Sequence, residues 1–349
     1  MRRILAVLVC VVVSALDLAS LYAAAQHPSW AYGFVEPPPA AGATTPAAPA
    51  APAAAAPAAA PDTTPLSLPG AGRTFTRAEA NNPYGPADWF PSEHPSAPPI
   101  VTVGRQQANI NACGLCHYIG GQGRQENAGL AGLPYEYFVQ TMMDFKNDRR
   151  HSADPRKANT NRMILFAKAM TDEEIRESAR YYSSIPWRQW IKVVETKMVP
   201  KTRTQNGVFV RLPGSDTELL GMRIVEGPEE FERFELRDPH SGFVAYVPVG
   251  SIKAGEKLVK TGGNGRTVQC GICHGPNLEG MGPLPGLAGR DPSYVVRQLY
   301  DMQMGTRKGV WSQLMKPVVE KLTAEEMIAI AAYTASLPPQ GRTTQSAAR

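Results

Sequence analysis

The chain begins without a run long enough to cross a membrane: Ile4 to Leu16 is apolar for 13 residues before Asp17 intervenes, short of the roughly 20 a bilayer requires. It also lacks a concentrated field of one sign. The formal charge is +5 at pH 7, and the basic residues are scattered, with neither a basic helix nor an aromatic–basic platform, which excludes nucleic acid as a partner. Cysteine is scarce, five in 349 residues, and no strand–helix–strand context surrounds it of the kind a thioredoxin-like site needs. From Pro37 to Pro69 the residues are almost all Pro, Ala and Thr. Such a stretch has no side chains with which to build a core, and its prolines favour an extended polyproline path.

What is present at the start reads as an export signal. Arg2 and Arg3 precede the apolar run, and Ala23-Ala24-Ala25 offers a small-residue cleavage site that leaves Gln26 as the new N-terminus. Val9 ahead of Cys10 does not suit lipid attachment, and the two arginines lack the rest of a twin-arginine signal. The expected compartment is the periplasm. A membrane enters only if the signal is retained as an anchor, in which case the Pro/Ala spacer would let the body swing above it.

Beyond the spacer lies an internal repeat. Cys113-Gly114-Leu115-Cys116-His117 returns as Cys270-Gly271-Ile272-Cys273-His274, an offset of 157. The same offset carries Gly129-Leu130-Ala131-Gly132 onto Gly286-Leu287-Ala288-Gly289, Tyr137 onto Tyr294, Asp144 onto Asp301 and Arg150 onto Arg307. After Arg150 the offset drops to 152, which aligns Met163 with Met315, Thr171 with Thr323, Tyr181 with Tyr333 and Pro186 with Pro338. Two folded units follow, differing by one five-residue insertion. In each, a helix is predicted from Tyr135 or Ser293 to about Lys146 or Gln303. A second starts at Thr171 or Thr323, where Thr-x-Glu-Glu supplies the cap. Ser251 to Lys260 reads as a helix ahead of the second Cys motif. Between the repeats, short β-rich runs such as Gly207–Val210 and Phe243–Val247 predict a small β element of unassigned role.

Cys-x-x-Cys-His is the attachment signature of c-type haem. Thiols spaced over one helical turn reach the two vinyl groups of the porphyrin, and the adjacent histidine lies beneath the iron as its proximal ligand. Cys113, Cys116 and His117 would hold one haem, and Cys270, Cys273 and His274 the other. A zinc site built from the four cysteines would need pairs 15–20 residues apart and would leave both histidines unexplained; simple disulfides remain open in an exported protein. The sixth ligand follows from the repeat: Met163 and Met315 are the pair that is methionine in both copies, expected in the loop before the last helix. Met142, Met143 and Met170 align with Leu299, Tyr300 and Leu322, which cannot ligate iron, and Met302 and Met304 read as packing. Tyr137, Tyr294, Arg150 and Arg307 could bind propionates, against ordinary packing for the tyrosines and solvent for the arginines. His27, His94, His151 and His240 read as loop or surface residues.

These motifs resemble the class I cytochrome c family in its tandem dihaem form, over about residues 100–186 and 250–338. The resemblance implies a mainly α fold: two tandem class I cytochrome c domains wrapped around low-spin His/Met haem, here joined by the small β-rich element. In that family a proline carbonyl after the haem motif accepts a hydrogen bond from the proximal histidine. Pro285 fits, whereas the aligned Ala128 departs from the pattern. The domain boundaries expected are a signal over 1–25, a disordered Pro/Ala spacer over 26–70, a first cytochrome domain with N-terminal extension over 71–186, the β-rich segment over 187–250, a second cytochrome domain over 251–340 and a disordered tail over 341–349.

Iron held by both nitrogen and sulfur has no open position for substrate, so two such centres make a relay and not an enzyme. The expected partners are redox proteins: a periplasmic or membrane donor, and an acceptor such as a terminal oxidase. The alternative is the cytochrome subunit of a periplasmic dehydrogenase complex. A dihaem peroxidase is disfavoured by the near-symmetry of the ligand loops.

Overall fold

The computed structural model describes residues 27–34 and 63–339. The expected signal, the spacer between 35 and 62 and the tail from 340 lie outside the described residues. None of the described helices is long and apolar enough to cross a membrane.

After the short helix Ser29–Tyr32, the described chain forms a hairpin, β1 (Leu66–Ser67) and β2 (Thr74–Phe75), and then α1 (Arg77–Ala80). The first repeat follows: α2 (Pro99–Thr102), α3 (Cys113–His117), α4 (Tyr135–Lys146), α5 (Ala158–Ala169) and α6 (Asp172–Ser184). Helix α4 buries Phe138, Met142 and Phe145 at helical spacing. Thr171 caps α6 in a reciprocal capping box with Glu174, and that helix turns Ile175, Ala179 and Tyr182 inward against α4.

The second repeat comprises α8 (Ser251–Thr261), α9 (Gly271–His274), α10 (Pro292–Gln303), α11 (Lys316–Val319) and α12 (Ala324–Ser336), the last capped by the same box on Thr323 and Glu326. Backbone bonds show that the two copies fold alike. Gly123 N–H donates to the His117 carbonyl as Gly280 donates to that of His274, and Gly132 reaches Tyr182 as Gly289 reaches Thr334. An unforeseen pair also recurs: Arg105 bridges Glu174 and the Ala169 carbonyl, and Arg266 bridges Glu326 and the Lys321 carbonyl. The copies differ at their first helix. In the second, Gly255 lets α8 approach α12 so closely that a β-carbon there would overlap the Ala329 carbonyl. In the first, only the four-residue α2 stands in that place.

Residues 191–247 hold seven strands and α7 (Phe231–Glu235). Strand β3 (Ile191–Glu195) pairs in parallel with β9 (Phe243–Val247), which pairs antiparallel with β8 (Val225–Pro228). Two hairpin-like pairs complete it: β4 (Met198–Pro200) with β7 (Thr217–Leu219), and β5 (Thr202–Gln205) with β6 (Val208–Arg211). Asn206-Gly207, both at positive φ, make the tight turn of the latter pair. This is more than a connector. Ile191, Phe243, Ala245 and Val247 share one core with Leu258, Val296 and Ile328 of the second repeat.

The spacer expected over 26–70 is ordered at both described ends. Residues 66–70 join the β1 strand and its turn, and residues 27–34 form a docked segment built around the short helix Ser29–Tyr32. Tyr32 is fully buried; its hydroxyl donates to Asp301 at 2.7 Å, and its carbonyl accepts from Lys157. Arg297 donates to the Ala31 carbonyl. A buried polar wall of Lys157, Arg297 and Asp301 is what holds these few residues in place, and composition does not reveal such a wall.

Candidate haem-attachment sites

Each Cys-x-x-Cys-His run is a single helical turn, so its two thiols and its histidine project from one short rigid element. The histidine's orientation is set by backbone. His117 Nδ1 lies 2.7 Å from the Ala128 carbonyl, and His274 Nδ1 lies 2.7 Å from the Pro285 carbonyl. A carbonyl only accepts, so in both rings the proton sits on Nδ1 and the Nε2 lone pair is left free. The alanine at 128 therefore departs from the proline pattern without losing the contact: the acceptor is main chain, and the side chain that carries it is immaterial. Burial lowers the pKa of both imidazoles, which keeps them neutral and able to ligate.

Both histidines are followed by a residue at positive φ. In the second copy it is Gly275; in the first it is Tyr118, at φ 59° and ψ 153°. That region is natural only to glycine. Tyr118 is held there by burial and by its edge-on contact with Trp190 of the β element, so the insert helps to fix the backbone next to His117.

All four thiols are free. Burial pushes Cys113 up to about 12 and Cys270 up to about 11. Paired free cysteines beside a neutral histidine with a free nitrogen fit covalent porphyrin attachment.

In the first copy these groups line a slot whose lining also includes Met163, Phe166 and Met170, with Phe138, Met142 and Phe145. Met163 does not sit in a loop as expected: it lies within α5, partly buried. Met142 and Met170 also line the slot, but both are buried in the apolar core. Met315 ends the short helix Val310–Met315 and packs partly buried on the second core. Met302 packs there too, and Met304 is exposed.

The second repeat also lines the slot, through Tyr294, Arg297, Gln298 and Asp301. The recurring arginines are buried, not solvated as one reading had it. They pair crosswise: Arg150 donates to Tyr294 at 3.0 Å and Arg307 to Tyr137 at 2.8 Å. Burial would raise the Tyr137 pKa, but Arg307 and Arg150 outweigh it and hold it at about 8. Of the remaining histidines, His94 meets Asp88 and Tyr181, His240 meets Glu93, His27 stacks on Tyr32, and His151 lines the slot half exposed. The sequence could not reveal Lys157 or Arg297, both buried at this wall; nothing in their local pattern separates them from surface cations.

No family profile matches the chain. Among individual proteins, cytochrome c-554(548) of Halomonas halodenitrificans is 33% identical over 88 residues, which is 25% of this chain and 96% of that protein. This chain belongs to the class I cytochrome c family. It is a dihaem member and carries covalently bound haem c. The thiosulfate dehydrogenase electron acceptor of Stutzerimonas stutzeri is 37% identical to this cytochrome over 87 residues, 24% of this chain and 39% of that one. Cytochrome c4 of Thiocapsa roseopersicina is 37% identical over 99 residues, 28% and 46%. The matches thus span less than half the length of these two relatives.

Proposed function

We propose that this cytochrome shuttles electrons in the periplasm between a periplasmic or membrane donor and an acceptor such as a terminal oxidase, and that it is not an enzyme. The observation that carries the reading is the duplicated motif helix whose histidine is locked on a backbone carbonyl with Nε2 free. Cys113 and Cys116 would hold one porphyrin and Cys270 and Cys273 the other, with His117 and His274 as proximal and Met163 and Met315 as distal ligands. Haem iron so held takes up and returns one electron. The protein's part is to exclude water, fix the ligands and set the two centres on either side of the Arg150–Arg307 contact. Residues 71–186 and 251–340 act as the two haem domains.

A second reading is favoured by one relative's description as a thiosulfate dehydrogenase electron acceptor: the chain would serve as the cytochrome partner of a dehydrogenase, with the β element 187–250 as its contact. A haem-stained denaturing gel with optical spectra of the exported protein tests the carrier reading. Two haems per chain and the weak near-infrared band of methionine–ferric iron are expected. A chain without covalent haem, or one turning over peroxide, would refute it. Co-purification with a dehydrogenase would select the second reading.

A further inference from the structure

The two haem motifs are copies in sequence but not in their surroundings. Leu115, between the first pair of cysteines, is 8% exposed, whereas its counterpart Ile272 is 61% exposed. Cys116 is partly covered and Cys273 is exposed.

The cover over the first motif is a composite of two distant segments. Arg237, just after α7, donates from Nη1 to the Leu115 carbonyl. The stretch that carries it is clamped to the N-terminal extension. Trp89 Nε1 donates to the Leu236 carbonyl at 2.7 Å, Asn81 donates to that of Glu235, and Arg77 pairs with Glu232. Leu68, Ala80, Trp89, Phe90 and Leu236 form a small core of their own. His240 lies against the Phe90 ring and 2.9 Å from Glu93. The extension also joins the motif directly, through Ala112 N–H to the Pro83 carbonyl.

Thioether bonds fix a porphyrin edge beside the cysteines, so the residues between them flank that edge. Electron exchange between proteins falls off steeply with the distance between cofactor edges, and a wall one side chain thick suppresses it. We propose that residues 66–93 and 231–240 form an insulating cap on the first haem. Exchange with external redox proteins then passes through the second haem, and the first communicates through it across the Arg150–Arg307 contact. This rests on the electron-carrier reading and adds a direction to it.

The test uses ferric holoprotein and a soluble gadolinium chelate, which broadens haem-methyl proton signals according to how closely it approaches each haem. Met163→Ala assigns the first haem's signals. Second-haem methyls should broaden severalfold more than first-haem methyls at the same chelate concentration. Arg237→Ala should raise first-haem broadening, and so should Trp89→Ala, with the near-infrared band retained as evidence of an intact haem pocket. Equal broadening of both haems in the unaltered protein overturns the cap, as does unchanged first-haem broadening in both variants. Absence of haem signals would instead count against the carrier reading itself.

Discussion

Arg150 and Arg307, equivalent residues of the two repeats, face each other as an antiparallel bridge pair, and each donates to the tyrosine of the opposite repeat. The flanking backbone bonds obey the same exchange: His151 N–H to the Thr306 carbonyl, and Lys308 N–H to the Arg149 carbonyl. Swapping one copy for the other reproduces the contact, so the repeats meet about a local two-fold axis. Gln298 breaks the symmetry by accepting from both arginines.

Tyr137→Phe should cost about 1–3 kcal/mol, because it strands a buried guanidinium N–H, and Arg307 Nε already lacks a partner. Denaturant unfolding of Tyr137→Phe, Arg307→Gln and the double variant should show non-additivity. Strict additivity would mean that the pair carries no coupling.

Met163→Ala and Met315→Ala should each remove half of the near-infrared band of the ferric protein. Persistence of the full band in Met163→Ala would transfer the ligand role to Met142 or Met170, the other sulfurs lining the slot.

Gly255→Ala should destabilise the second repeat by about 1–3 kcal/mol or more, since the added carbon meets backbone that cannot rotate away. Gly250→Ala serves as the comparison: nothing lies within 4 Å of its β-carbon position, although its φ of 87° adds backbone strain. Thermal melts should separate the two only if steric overlap at 255 outweighs that strain.

Glu226 and Asp291 are buried, and burial raises both pKa values, that of Glu226 well above the carboxylate range. Ser293 donates to Glu226 Oε2, while Glu226 Oε1 and Asp291 Oδ2 have no other partner. A proton shared between the two acids would join β8 to the start of α10. The folded protein keeps a proton that the unfolded chain releases above about pH 4.5, so stability from this pair falls as pH rises beyond that value. Glu226→Gln should therefore raise the melting temperature at pH 8 and leave it unchanged at pH 4. Parallel pH profiles for the two proteins would refute the shared proton.

The haem motifs, the repeat register, the capped helices at Thr171 and Thr323 and the presence of strands between the repeats were legible from the residues alone. Each is a local signal: a fixed spacing, a cap or a periodicity. Met163 was placed on the wrong kind of element because the stretch before the last helix was treated as loop, whereas Ile164 and Ala167 give it an inward face and make it helix. Residues 27–34 were assigned to spacer because their anchors, Asp301, Arg297 and Lys157, lie more than a hundred positions away.

The sequence by itself determined that two Cys-x-x-Cys-His turns exist and which atoms they present, since the motif needs only residues within one turn. Tertiary structure alone decided that the recurring arginines cross-pair, that the β element joins the second core, and that one motif is covered while its copy is open. Those outcomes depend on which surfaces meet, and identical pentapeptides acquire different roles when distant segments bury one of them.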